Sequence, residues 1–388
     1  AMPQHQNMAR SGDKYSAPHD QSADFVELFF DLVFVFAITR VTHLTAQHLD
    51  LQAVGQSLLI FWLVWWAWTQ FTWSLNSADT SLRDVRVGTL VSTAVAFVMA
   101  ASVDHAFDSD VLWFAIPYII MRQLGWGLML RVTWHDRGER SAALVIAIAA
   151  QFGLAAVLLG ALSDPETRFW WWLAAIVLDM LSAYLGGKSL GWNIRIAHFV
   201  ERHALIVIIA LGESLIVAAA AVASDARSTE LLVSGGISVL IVCLLWWSYF
   251  GWIREFFEER LLEAPTIMQV VLTRDGFSLG HFPLICGIIA LAVGLELILS
   301  HPTDLIETKV VVALGLGIFL FIGSTATTVL RLSGIVLWPR LIILTIGTAS
   351  LTMTVSQPPM ICLGLISLML LLIVVTEEFQ AINSTTKH

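Results

Sequence analysis

Two carboxylates stand four residues apart in the apolar stretch "FVELFFDLVFVFAIT", residues 25–39: Glu27 and Asp31. A similar stretch, "FVERHALIVIIALGE" at 199–213, carries Glu201, Arg202, His203 and Glu213. A carboxylate inside a bilayer costs about 2.5–3.5 kcal/mol on insertion scales, so it turns toward protein or water. There it can exchange a proton or coordinate a small cation. At 100° per residue, Glu27, Asp31, Phe34, Ile38 and Thr42 share one helical stripe, which is expected to face a polar cavity. Arg40, His43 and Gln47 fall on roughly the opposite stripe. Glu27 equally suits the first turn of a helix, where its charge complements the dipole.

Arg202 is placed to pair with a carboxylate of the first stretch, and Arg122 to neutralise Asp31 or Glu213. Glu213, in "IIALGESLIV", lies near the middle of its apolar run beside Gly212, a residue that permits close helix approach. Asp179 and Glu296 also fall inside apolar runs and read equally well as packing residues, and His281 reads as a helix-packing donor. Trp65, Trp66, Trp246 and Trp247 recur in the two halves and are expected to wall a cavity; Trp170–Trp172 suit an interfacial belt. No H-E-x-x-H, G-x-S-x-G or phosphate-loop pattern occurs, so no catalytic residue, metal ligand or cofactor is assigned. Cys243, Cys286 and Cys362 sit in separate apolar runs as packing residues. None of Lys14, Lys188, Lys309 and Lys387 lies mid-span, which excludes a retinal Schiff base.

The elements that must position these groups are membrane helices. The 388 residues are 57% hydrophobic and 13% charged, with mean hydropathy +0.78. About a quarter charged is usual for a soluble domain, and apolar runs of about 20 residues span a bilayer. The runs predict an all-α polytopic membrane protein with about twelve transmembrane helices: 25–48, 52–76, 86–106, 111–131, 141–162, 168–187, 198–223, 230–252, 275–300, 308–330, 336–355 and 358–378. Residues 1–22 are polar, lack a signal-peptide pattern and read as a disordered tail, with Ala1 an addition ahead of Met2. A second tail is expected at 381–388.

Loops 2–3, 4–5, 6–7, 8–9 and 10–11, with their flanking turns, hold 13 Lys and Arg; the other six hold 3. Positive charge stays in the cytoplasm, so both termini are expected there. "VWWAWTQFTW" at 64 aligns with "LWWSYFGW" at 245, as the two acidic stretches align with each other. Six spans separate each pair, which predicts two parallel six-helix repeats at 23–190 and 191–380.

"VELFFDLVFVFAIT" followed by "ERHALIVIIALGESLI" resembles the bacterial low temperature requirement protein A (LtrA) family over essentially the whole chain. The resemblance implies a polytopic protein of the bacterial inner membrane and brings no assigned reaction. "FFDLVFVFAIT", residues 29–39, also looks like the first-helix motif of the six-helix bacterial relatives of the lysosomal potassium channel. That likeness implies that spans 1 and 7 line a pathway, although Leu205 stands where the first half has Asp31.

The leading expectation is a transporter or channel handling protons or small cations. Asp31 and Glu213 would be its coupling groups, Glu27 and Glu201 its vestibule charges, and Arg40, Arg122 and Arg202 its counter-charges, with His43 nearby. A membrane-embedded lipid- or isoprenoid-processing enzyme and a non-catalytic sensor or assembly partner are the alternatives. Expected partners are membrane lipid and a small ion or small-molecule substrate, with no nucleic acid; a homodimer is left open.

Overall fold

Apolar runs broken by Pro, Gly, Asp and Ser give helices with capped ends. Asp50 accepts from the Ala53 N–H, Asp136 from the Gly138 and Glu139 N–H groups, and Ser228 from the Leu231 N–H. Asp164, ahead of the sixth helix, accepts from both the N–H and the hydroxyl of Thr167, which holds its carboxyl below the usual range.

The computed structural model describes residues 22–186, 194–223 and 228–385. Among them it is all-helical: α1 (Phe25–Gln47), α2 (Leu51–Ser77), α3 (Arg83–Ala101), α4 (Leu112–Thr133), α5 (Arg137–Ala161), α6 (Pro165–Gly186), α7 (Ile196–Val222) and α8 (Thr229–Phe250). There follow α9 (Ile253–Glu263), α10 (Thr266–Thr273), α11 (His281–Ser300), α12 (Thr308–Ser333), α13 (Trp338–Leu351) and α14 (Pro359–Thr385). A π-helical turn, Arg274–Leu279, joins α10 to α11.

Each of the twelve expected spans contains a helix, the shortest being α13 with 14 residues. Among the described residues, eight segments are long and apolar enough to cross a membrane: α2, α3, α5, α7, α8 with α9, α10 with α11, α12, and α14 as far as Phe379. The chain is therefore a multi-pass membrane protein. Of the remaining helices, α1 carries Glu27, Asp31 and Arg40, and α13 has 14 residues. The short helices α9 and α10 were not expected. They fill the stretch from 253 to 273, whose charged residues read as a loop. Most of the expected first tail, together with Lys14, Lys188 and Lys387, lies outside the described residues. The expected second tail begins as helix, because α14 continues to Thr385.

Neighbouring helices repeat a pattern. α1 packs on α2 and α3, α3 on α4, α4 on α5, α5 on α6, and α2 on α6. Correspondingly, α7 packs on α8 and α11, α11 on α12, α12 on α13, α13 on α14, and α8 on α14, although among the described residues the close α2–α4 contact of the first half has no comparable α8–α12 counterpart. The two sets meet where α1 and α2 touch α7 and α11. The end of the bundle where α1 begins is called the near end below, and the opposite end the far end.

The tightest crossing is α11 on α12. A Cβ on Gly287 would stand 2.6 Å from the Gly317 carbonyl oxygen, and one on Gly317 would stand 2.8 Å from the Leu291 nitrogen. Backbone meets backbone there, as small residues allow between membrane helices. Gly212, expected to serve the same purpose on α7, does not: a Cβ there would meet nothing within 4 Å. Gly287→Val should therefore lower the thermal unfolding temperature in detergent sharply, whereas Gly212→Ala should leave it within a degree or two. Equal melting curves for the two variants would contradict the crossing.

Candidate functional site

The acidic stripe of α1 meets a basic stripe of α7. Glu27 and Asp31 are four residues apart; so are His198 and Arg202. All four side chains are buried. Arg202 grips Asp31 with two parallel bonds, Nε to Oδ2 at 3.1 Å and Nη2 to Oδ1 at 2.7 Å. Its Nη1 donates to Glu27 Oε1 at 2.6 Å. Trp68 of α2 donates its indole N–H to Asp31 Oδ1 at 2.7 Å. His198 Nε2 stands 3.0 Å from Glu27 Oε2, and its Nδ1 faces the Asn76 amide nitrogen at 3.3 Å. The amide only donates, so Nδ1 is the acceptor and Nε2 carries the proton given to Glu27. Asn76 in turn clasps Arg195: its Oδ1 accepts the Arg195 N–H at 3.0 Å, and its Nδ2 donates to the Arg195 carbonyl at 2.9 Å.

The α1 stripe thus faces the side chains of α7 and α2, not a polar cavity as expected. Every nitrogen of the Arg202 guanidinium donates to a carboxylate. Glu201 stands outside this network and accepts the Ala23 N–H at 3.1 Å, tying the strand of chain before α1 to α7. His203 packs face to face with Phe199 at 4.5 Å and edge-on to Trp68 at 4.9 Å.

The far end is different. A cavity of about 440 Å³ opens between α1, α7 and α11, lined by Thr39, Arg40, His43, Glu213, Glu296 and Ser300 with small apolar residues of α7. Arg40 forms an ion pair with Asp104, in the turn after α3. His43 points Nδ1 at Glu296 Oε1, 3.6 Å away, while its Nε2 meets the Gln47 amide nitrogen at 3.0 Å. The amide donates there too, which leaves the Nδ1 proton facing Glu296. With Arg40 neutralised by Asp104, Glu213 and Glu296 give the cavity an excess of negative charge.

Thr39 Oγ1 lies 2.5 Å from Glu213 Oε2 and 3.1 Å from the Val35 carbonyl oxygen. A hydroxyl has one proton for these two acceptors. If Glu213 is ionised, Thr39 donates to it and gives up Val35. If Glu213 is protonated, it donates to Thr39, which then donates to Val35. The same atoms therefore accommodate two protonation states with little movement.

Asp31 and Thr39 are eight residues apart, about 12 Å along the helix. Between the two polar clusters the α1–α7 seam is filled by buried Phe34, Ile38, Ile206, Val207 and Ala210. The cavity is open at the far end and closed toward the near end.

Arg122 neutralises neither Asp31 nor Glu213. It pairs with Asp179 of α6 through two bonds of 3.0 Å, and also donates to Gln70 and Tyr118. Trp65 is buried and donates to the Ser278 carbonyl, and Trp66 lines a smaller cavity between the first half and the α10–α11 junction. Trp246 and Trp247 do not wall a cavity: they are 45% and 50% exposed on the outer face of α8, and Trp247 donates to Glu378. α8 lies at the rim of the bundle, so its Trp pair faces outward where that of α2 faces in. His281 acts as a packing donor, its Nδ1 facing the Gly276 carbonyl at 2.9 Å and its Nε2 accepting from Tyr249.

His198, Trp68, Asn76 and Thr39 are the members of these clusters that sequence reading missed. For His198 a signal exists: basic residues at 198 and 202 match the four-residue spacing of the acids at 27 and 31.

The family described as bacterial low temperature requirement A protein (LtrA) matches residues 22–375. An uncharacterized protein of Rhizobium meliloti (strain 1021) is 30% identical over 319 residues, covering 78% of this chain and 76% of the relative. No solved structure matches the chain.

Removing one partner from a buried ion cluster leaves the others unpaired and costs about 3–5 kcal/mol. Arg202→Leu should therefore destabilise the protein by about that amount in chemical unfolding. Adding Glu27→Gln and Asp31→Asn should recover most of the loss, because Asp31 and Glu27 then need no cation. A triple variant less stable than the single one would contradict the network's energetics.

Proposed function

The chain belongs to the bacterial low temperature requirement A protein (LtrA) family, and on that premise we propose that it is a transporter or channel for protons or small cations. The observation that carries this reading is the Thr39–Glu213 pair at the wall of an acidic cavity, with its two proton arrangements. The excess negative charge of Glu213 and Glu296 favours a cation or proton over an anion. His43, with its proton toward Glu296, is the third exchangeable group.

In this reading the far-end cavity is the extracytoplasmic entrance, and the apolar seam below Thr39 is a closed gate. Arg202, Glu27 and Asp31 then form the near-end clasp about which the α1–α7 seam is organised. Glu201, Arg40 and Arg122 act through their partners in holding the helices, not by meeting the ion.

We also read 23–190 and 191–380 as two parallel six-helix repeats spanning the membrane twelve times. The matching neighbour pattern of the halves supports this, as does the parallel course of α1 and α7, in which 27 and 31 meet 198 and 202 and 39 meets 213. The Arg-rich near end is placed in the cytoplasm by the positive-inside rule. Arg83, Arg86, Arg131, Arg137 and Arg140 all lie at the helix ends on that side, where α3 and α5 begin and α4 finishes.

Two outcomes test these readings. In proteoliposomes with a pH gradient, Glu213→Gln should abolish proton or cation flux or remove its pH dependence, and Glu296→Gln should weaken it, with folding retained. Flux with an unchanged pH profile in Glu213→Gln would refute the assignment. In whole cells, a membrane-impermeant thiol reagent should label a cysteine placed at Ser228 but not one at Arg137. The opposite pattern would invert the topology.

A further inference from the structure

A second cavity, of about 100 Å³, lies between α2, α4, α5, α6 and the α10–α11 junction, toward the near end. It is separate from the acidic cavity and shares no residue with it. Its wall is rich in indole: Trp66, Trp73 and Trp126 all line it. Two polar atoms in that wall are buried and have no partner, the Thr69 hydroxyl and the Trp126 indole N–H. The residues are 3% and 7% exposed. A buried donor left without an acceptor costs about 1–3 kcal/mol. An indole N–H only donates, so what is missing there is an acceptor; the Thr69 hydroxyl can also donate.

The charge balance narrows the class further. Two arginines line the cavity, Arg122 and Arg274. Arg122 is held by Asp179, and Arg274 by Asp275, at 2.6 Å. A cation would meet two guanidiniums and no unpaired carboxylate. An anion would find both guanidiniums already neutralised. Indole walls favour a flat conjugated ring over a saturated chain. Half-buried Ile146, Ala183 and Val270 line the cavity beside the exposed Tyr184 and Ile267, so the approach to it is apolar.

We propose that this cavity binds an uncharged, lipophilic molecule that carries a carbonyl on a conjugated ring, of the quinone class. The carbonyl oxygen accepts from Trp126 Nε1, with the Thr69 hydroxyl as second donor; the cavity has room for no more than the carbonyl-bearing ring, and the rest of the molecule occupies the apolar approach. The site is independent of the ion-handling reading, since neither Glu213 nor Glu296 takes part.

Menadione, a naphthoquinone without a tail, is the probe, titrated calorimetrically into the full chain in detergent. The wild-type protein should bind it saturably at one site. Trp126→Phe keeps the ring and removes the N–H, and should weaken binding about tenfold, the order of one hydrogen bond. Thr69→Val should weaken it in the same direction. Trp113→Phe, altering an indole that is 66% exposed on the opposite side of α4, should change nothing. The carbonyl-free analogue 2-methylnaphthalene should bind no better than the Trp126→Phe protein binds menadione. Absence of saturable binding to folded wild-type protein would overturn the proposal. So would equal affinity in Trp126→Phe, or equal affinity for the two ligands. Native mass spectrometry separates the other source of a carbonyl: a phospholipid that copurifies and is not displaced by menadione would assign the cavity to a lipid ester and overturn the ring.

Discussion

One guanidinium organises the near end of the molecule. Arg202 satisfies two carboxylates that α1 could not otherwise carry into a membrane, and in doing so fixes the two helices side by side, in the same direction and in one register. A shift of α1 by one residue would rotate its acids by about 100° and unpair all three charges. The same register sets Thr39 against Glu213 and aligns the far-end cavity. Trp68, His198 and Asn76 extend the constraint to α2, so α1, α2 and α7 are positioned by a single hydrogen-bonded unit. Hydrophobic packing alone could not achieve this between membrane helices, because lipid competes equally for apolar side chains.

The architecture outside this unit follows from packing. The α11–α12 crossing is set by glycines meeting backbone to backbone, while α13 is tied to α14 by the Arg340–Glu377 pair at 2.7 Å. The π-helical turn before α11 places Ser278 where two α2 indoles, Trp65 and Trp73, donate to it. That contact joins the two halves away from the charged seam.

Helical class and membrane-spanning character were legible in the sequence, because runs of apolar residues this long have few other destinations. The α1 stripe was legible too: Glu27, Asp31, Phe34, Ile38 and Thr42 are all buried. What covers that stripe was legible only in part: Arg202 was set against a carboxylate of α1, whereas His198 and Trp68 were not. Periodicity shows that a face is hidden but not whether protein or water hides it, and here the cover is a basic stripe 171 residues away. Trp246 and Trp247 were misjudged for a related reason. A repeated Trp pair records a shared sequence, whereas burial depends on whether the helix is central, like α2, or peripheral, like α8. Glu296 gave no sign of its role because its neighbours in the cavity come from α1 and α7.

The separation between Asp31 and Arg202 also bears on how the protein is made. Synthesis at about 5–20 residues per second puts roughly 10–30 s between the emergence of Asp31 and that of its partner 171 residues later. During that interval α1 holds two acids with no cation to meet them, and a segment so charged is poorly retained in hydrocarbon. The first helix must then wait at the membrane surface, in the insertion machinery or beside a chaperone until α7 arrives. The last step in pairing these acids is therefore the meeting of the two halves: a chain cut between α6 and α7 would keep the contacts of α1 with α2 and α3 but leave Glu27 and Asp31 without Arg202 and His198.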